Sequence, residues 1–177
     1  MNRAIFLDRD GTLIEDKGYA YKVADLKLFP EVVEGLSLLK EDYIFFIITN
    51  QPGIGMGLFK VEDFEAYNNS LINLLKEHGI NIERTYFCPH IGGCDCRKPS
   101  TKYIEEIARD FQVSIKESWV IGDHPSDIIM AINAGCHSVY LLTGHGEKHL
   151  LELESKGIRP TFIAPDFLSA ARCIKGI

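Results

Sequence analysis

Two aspartates one residue apart, Asp8 and Asp10, stand directly after the short apolar run from Ala4 to Leu7. In an extended segment residues i and i+2 face the same way, so just past a strand end the two carboxylates can converge on one point. Gly11 then lets the chain turn sharply. Convergent carboxylates at the end of a buried strand suit a divalent metal, a carboxylate nucleophile with an acid–base partner, or both. The same spacing occurs in ordinary Asx-capped turns, so the pair gains meaning from what else reaches it. Three later stretches qualify: Thr49-Asn50-Gln51-Pro52 before a glycine series, Arg97-Lys98 before a helix start, and Gly122-Asp123 with Asp127.

A second chemical cluster is separate from these. Cys88, His90, Cys94 and Cys96 fall within one short loop, whereas Cys136 and Cys173 stand alone. An odd cysteine count with tight clustering reads as metal binding rather than a disulfide framework. Cys₃His is a structural zinc set, and four protein ligands would close the site. Its expected role is to fold the loop, residues 88–96, that presents Arg97 and Lys98. The two isolated cysteines read as core thiols.

These groups need a framework. The chain has 177 residues, 46% hydrophobic and 25% charged, with a formal net charge of −6. That suits one globular domain, residues 1–177, and disfavours nucleic-acid or anionic-membrane partners. No apolar run approaches the roughly 20 residues of a membrane span. The N-terminus shows no signal-peptide pattern. A cytoplasmic monomer is the default expectation.

Buried strands are predicted at residues 3–7, 43–48, 85–87, 119–121 and 138–142, with an edge strand near 161–163. Helices are predicted after Pro30, over 61–78 and 100–111, from 125 to about 133, and near 167–174. Residues from about 13 to 29 form a polar, Tyr-rich flap with a bend at Gly18. His145 and His149 lie in a polar tail segment and receive no role. Strands alternating with helices imply a parallel sheet covered on both faces. Ligands bind such sheets at the strand carboxyl ends, at the topological switch point. Polar residues cluster at the ends of three of these strands.

Together the stretches Asp8-Arg9-Asp10-Gly11-Thr12, Thr49, Lys98-Pro99 and Gly122-Asp123 with Asp127 resemble the haloacid dehalogenase (HAD) superfamily of phosphotransferases. Within it, Gly18-Tyr19, Thr49-Asn50-Gln51, Cys88-Pro89-His90 and Cys94-Asp95-Cys96-Arg97-Lys98-Pro99 look most like the D-glycero-D-manno-heptose 1,7-bisphosphate phosphatase family. The resemblance runs from Ala4 to about Gly144. It implies a three-layer α/β, Rossmann-like parallel sheet, HAD-like and without a large cap domain. It also implies a phosphomonoesterase acting through an aspartyl-phosphate.

By that resemblance Asp8 is the nucleophile and Asp10 the acid–base, whose carboxyl must carry a proton in the first step. Thr49 and Lys98 hold the transferring phosphoryl oxygens. Mg²⁺ joins the Asp8 carboxylate, the Asp10 carbonyl and the Asp123 side chain, with Asp127 orienting the loop from behind. Substrate contacts are implied for Arg9, Asp16, Lys17, Gly18, Tyr19, Asn50, Gln51, Pro52, Arg97 and His124, and structural Zn²⁺ for the cysteine–histidine loop. His124 stands where the family often carries Lys, and Met56 where many relatives carry Arg.

The expected reaction is removal of the 7-phosphate of heptose 1,7-bisphosphate, a small phosphorylated sugar. Histidinol-phosphate phosphatase is the alternative enzyme, since those domains share the zinc loop. A polynucleotide 3′-phosphatase has a similar glycine loop, but the acidic balance and the zinc loop argue against it. A phosphate-binding module without catalysis would not need both a nucleophile and an acid.

Overall fold

A computed structural model describes residues 1–176. Six parallel strands form one sheet: β1 (Ala4–Leu7), β2 (Ile44–Asn50), β3 (Ile82–Cys88), β4 (Trp119–Gly122), β5 (His137–Leu141) and β6 (Phe162–Ala164). Their order is β3-β2-β1-β4-β5-β6. The chain winds outward from β1 to β3 and then returns to the other side of β1 with β4. The switch point therefore lies between β1 and β4, where Leu7 pairs with Ile121. Asp8 and Asp123 follow these two strands directly.

The apolar runs are continuous because both sheet faces are covered. Ile5, Leu7, Phe45 and Ile47 point into one core with α1 (Val32–Leu39), α3 (Val61–Glu77) and α7 (Phe167–Lys175). Ala4, Phe6, Phe46 and Ile48 point the other way, against α4 (Lys102–Asp110) and α5 (Pro125–Ala134). The rule that alternate strand residues change face thus divides each run between two cores. α1 lies close on α7 because Gly35 has no side chain: a Cβ there would meet the Phe167 ring at 2.6 Å.

The flap is a folded excursion. Ile14 bridges Leu28 in antiparallel fashion, and the Phe29 N–H donates to the Leu13 carbonyl at 3.1 Å. Its outer part rests on aromatic contacts, with Tyr21 stacked on Phe59 at 5.4 Å between centroids.

Two helices depart from the sequence-based expectation. A single turn, α2 (Pro52–Gly55), opens the glycine series; Pro52 supplies its preset φ at the first position. The supposed polar tail contains α6 (Gly146–Ser155), which buries Gly146 and Leu153 and is followed by Gly157 at φ +64°. Glu, Lys and Leu are good helix formers, but one buried leucine gives almost no apolar stripe. No described helix is long and apolar enough to cross a membrane.

Candidate active site

Each central strand delivers one reactive group at its carboxyl end. Asp8 leaves β1 with its N–H donating to the Ile121 carbonyl of β4 at 3.0 Å, which pins the Asp8 loop to its neighbour strand. The turn that follows needs Gly11, at φ +83°, because a Cβ there would collide with the Asp123 carboxylate. Thr49, 1% exposed, is the penultimate residue of β2, and Asp123, 2% exposed, directly follows β4. Lys98, just before α4, is buried too, and its Nζ lies 2.8 Å from Asp8 Oδ1 and 2.7 Å from Asp127 Oδ1.

Oxygens of Asp8, Asp123 and Asp127 come within 4.8 Å of one another. A single lysine among three close carboxylates leaves negative charge uncompensated. Burial raises the Asp8 carboxyl above its usual range, with Lys98 opposing and Asp127 adding to the shift. Burial together with the Asp8 and Asp127 charges pushes Asp123 up to about 8. Burial alone would lower the Lys98 ammonium, but the Asp127 and Asp8 carboxylates outweigh it and raise it. An excess of buried hard oxygen donors fits a small divalent cation. The Asp10 carboxylate lies outside this cluster.

Asp10 is held from beneath. Arg9 forks onto it, Nε to Oδ2 and Nη2 to Oδ1, both at 3.1 Å. Gln51 Nε2 donates to Asp10 Oδ2 at 2.8 Å and to Thr49 Oγ1 at 2.9 Å. Arg9 is 1% exposed, with its guanidinium 5.1 Å from the ring centroids of both Phe64 and Tyr67. Arg9 thus supports Asp10 through Nε and Nη2, while its Nη1 has no partner among the described residues and Arg9 also borders the outer of the two cavities above the site. Asn50 is anchored as well: its Oδ1 accepts from the Lys98 N–H at 3.0 Å, which fixes the lysine loop against β2. His124 caps α5, its Nδ1 accepting from the Ser126 N–H at 3.2 Å, while its own N–H donates to Asp127 Oδ2 at 3.1 Å.

The space above divides into two chambers. An inner cavity of about 370 Å³ is lined by Asp8, Thr49, Lys98 and Asp123. An outer one of about 480 Å³ is lined by Arg9, Gly18, Tyr19, Gln51, Lys148 and His149. Asp10, Asp16, Asn50, Pro52, Arg97, His124 and His145 border both. Lys17 is exposed on the flap and lines neither.

The loop after β5 is the part sequence reasoning missed. The His145 N–H donates to Asp123 Oδ2 at 2.7 Å, and its ring Nε2 lies 2.8 Å from Asp16 Oδ2 on the flap. Thr143 Oγ1 donates to the Gly11 carbonyl at 2.7 Å. Gly144, at φ +55°, allows this approach, since a Cβ there would strike Gly11 and Asp123. A backbone donor leaves no mark in sequence; Thr143-Gly144 just past a predicted strand was the available signal.

Cys88, His90, Cys94 and Cys96 present their ligand atoms to one point, all within 4.8 Å. Cys88 Sγ lies 3.5 Å from Cys94 Sγ and 3.7 Å from His90 Nδ1, and His90 Nδ1 lies 3.4 Å from Cys96 Sγ. Ligands about 2.3 Å from a tetrahedral centre sit roughly 3.5–3.8 Å apart; the three distances above are close to that spread, and only Cys88 and Cys96, with sulfurs 3.0 Å apart, are closer than a bound ion would hold them. Arg97 Nη1 donates to the His90 carbonyl at 3.3 Å, which ties this loop to the chamber wall.

Comparison with known proteins agrees with this arrangement. A family model described as HAD-hydrolase-like matches residues 95–170. The chain is 41% identical over 124 residues, 68% of its length and 78% of the relative's, to a probable D-glycero-D-manno-heptose-1,7-bisphosphate 7-phosphatase of Thermoplasma acidophilum. It is 36% identical over 141 residues, 79% of its length and 82% of the relative's, to the D-glycero-alpha-D-manno-heptose-1,7-bisphosphate 7-phosphatase of Campylobacter jejuni. The crystal structure of D,D-heptose 1,7-bisphosphate phosphatase from B. bronchiseptica, complexed with magnesium and phosphate, superposes with a TM-score of 0.89 at 28% identity, covering 98% of both chains. Identity at this level over this much of the sequence places the chain with these relatives: it belongs to the D-glycero-D-manno-heptose-1,7-bisphosphate 7-phosphatase family of HAD-like hydrolases.

Proposed function

We propose that this chain is a Mg²⁺-dependent phosphatase that removes the 7-phosphate of D-glycero-D-manno-heptose 1,7-bisphosphate through an aspartyl-phosphate on Asp8. The observation that carries the reading is the set Asp8, Thr49, Lys98 and Asp123 around the inner chamber, the last three buried and Asp8 largely so, with Asp10 at the boundary of the outer one. The transferring phosphoryl group occupies the inner chamber and the sugar the outer. The scissile bond then lies at the boundary, beside Asp10.

An Asp8 carboxylate oxygen attacks phosphorus, and the bond to the sugar oxygen breaks. Asp10 gives that oxygen its proton. A water then attacks phosphorus, Asp10 takes a proton from it, and the bond to Asp8 breaks, releasing phosphate. The Thr49 hydroxyl and the Lys98 ammonium hold the phosphoryl oxygens, where positioning and charge stabilisation supply most of the rate. Asp8, the Asp10 carbonyl and Asp123 would hold Mg²⁺, which when bound offsets charge on the phosphoryl oxygens. Asp127 reaches the same cluster but is engaged by Lys98 and the His124 N–H. Zn²⁺ in the Cys88/His90/Cys94/Cys96 loop would be structural and would fix Arg97 and Lys98. Asp16, Gly18, Tyr19, Asn50, Gln51, Pro52, Arg97 and His124 shape the space for the sugar.

The test is phosphate release from heptose 1,7-bisphosphate, histidinol phosphate and a 3′-phosphorylated oligonucleotide. The bisphosphate is expected to give the highest kcat/KM. Preference for histidinol phosphate would overturn the substrate while leaving the Asp8 chemistry intact.

A pH dependence follows from the metal-free cluster. Mg²⁺ binds the ionised carboxylate, and in its absence Asp123 holds a proton up to about pH 8. Apparent Mg²⁺ affinity is expected to rise by about tenfold per unit from pH 6 toward pH 8 and then level off, with proton release on binding. Calorimetric titration in buffers of different ionisation enthalpy measures both; a flat profile would contradict the Asp123 assignment.

A further inference from the structure

We infer that Lys148, in the first turn of α6, is a specificity-determining cation that holds the second phosphate of the substrate in the outer chamber. The inference rests on the bisphosphate reading above and extends it to a helix that no motif marks. A bisphosphate whose reacting phosphate fills the inner chamber must place its other phosphate beyond Asp10. That space is the outer chamber, walled by the flap tip on one side and by His145, Lys148 and His149 on the other.

The charges on this wall are unequally engaged. Asp10 is neutralised by the fork of Arg9. Asp16 accepts from the Gly18 N–H at 2.7 Å and meets the His145 ring at 2.8 Å. Neither acid is left bare toward the chamber. The ion pairs of α6 join His149 and Lys156 to Glu152, and Lys148 has no carboxylate partner among the described residues. Arg97 donates to the His90 carbonyl, a neutral acceptor that leaves its charge intact. Arg9 also lines the chamber but is paired with Asp10, so the cations there without a carboxylate partner among the described residues are Arg97 and Lys148.

Position 124 does not supply a third. The His124 ring is turned onto its own helix, accepting from the Ser126 N–H, and its edge packs against His149 at 4.9 Å between centroids. Met56 is uncharged and 44% exposed. An ammonium on a flexible four-carbon stem suits a phosphate whose exact position varies, whereas the Arg97 fork suits fixed bidentate contact. The fold therefore brings positive charge to the distal group through α6, where the sequence around the glycine series and after Asp123 lacks it.

The experiment compares heptose 1,7-bisphosphate with heptose 7-phosphate, which lacks only the distal group. The ratio of their kcat/KM values is measured for the wild type, Lys148→Glu and Lys148→Arg. The glutamate variant is expected to lower the ratio about tenfold or more, mainly through KM for the bisphosphate, as loss of a charged contact does. The arginine variant, which keeps the charge, is expected to stay within about threefold of wild type. A wild type that prefers the bisphosphate while Lys148→Glu keeps the full preference would overturn the inference. So would an arginine variant that loses as much as the glutamate one, because charge would then not be what Lys148 contributes. A wild type indifferent to the distal phosphate would instead bring down the bisphosphate reading on which the inference rests.

Discussion

Asp8→Asn is expected to reduce turnover below about one part in ten thousand of wild type while leaving the fold unchanged. The amide is nearly the same size but cannot attack phosphorus. Removing a covalent nucleophile leaves only the binding and electrostatic part of the rate, which rarely approaches the intact reaction. The substitution should not unfold the site. Asp8 carries a buried negative charge whose ionisation burial already opposes, and Asp127 remains as a partner for Lys98. Metal-free Asp8→Asn is therefore expected to melt at or slightly above the wild-type temperature, since one of three crowded carboxylates is gone. Asp10→Asn should behave differently: it keeps the nucleophile and loses the proton donor, so a slow covalent intermediate can accumulate on Asp8. Phosphate release and intact-protein mass measured side by side separate the two. Substantial turnover by Asp8→Asn would sink the covalent mechanism.

Disrupting the cysteine–histidine loop is expected to have the second largest effect, and on two observables at once. Burial raises the Cys88 thiol to about 12 without a metal, so the metal-free loop keeps Cys88 protonated, 3.0 Å from the Cys96 sulfur. A bound Zn²⁺ would convert the cysteines to thiolates. Cys88→Ser or Cys96→Ser should then lose one equivalent of zinc and about 10 °C in Tm, on the scale of several kcal/mol for a chain of this size. Activity should fall with it, by about a hundredfold, because the loop carries Arg97 onto the chamber wall and leads into Lys98, the buried ammonium beside Asp8. Metal analysis, thermal unfolding and kcat on the same preparations test this. Folded wild-type protein that is purified without chelators and contains no zinc would refute the site.

Much of this site was legible in the sequence for one physical reason. A parallel strand buried on both faces must be apolar throughout, so an abrupt change to Asp, Thr or Gly-Asp marks its end, and ends of neighbouring strands share one edge of the sheet. Asp8, Thr49 and Asp123 could be placed together on that ground alone, and the cysteine spacing identified its own loop. What the sequence could not carry is contact between segments whose neighbourhood only the strand order creates. Arg9 looks like a free cation beside two acids; it is fixed under Asp10 because α3, more than fifty positions later, lays Phe64 and Tyr67 against it. Lys17 is as basic and as near the motif, yet the flap turns it to solvent. α6 shows one buried leucine and a polar surface, and nothing local says which way it faces. β5 pairs with β4, so the loop leaving β5 arrives beside Asp123. That adjacency aims the His145 N–H at the carboxylate cluster and sets Lys148 on the wall of the outer chamber. Residue type is a property of one position, but the electrostatic work a charge does depends on which other charges the fold has already set beside it.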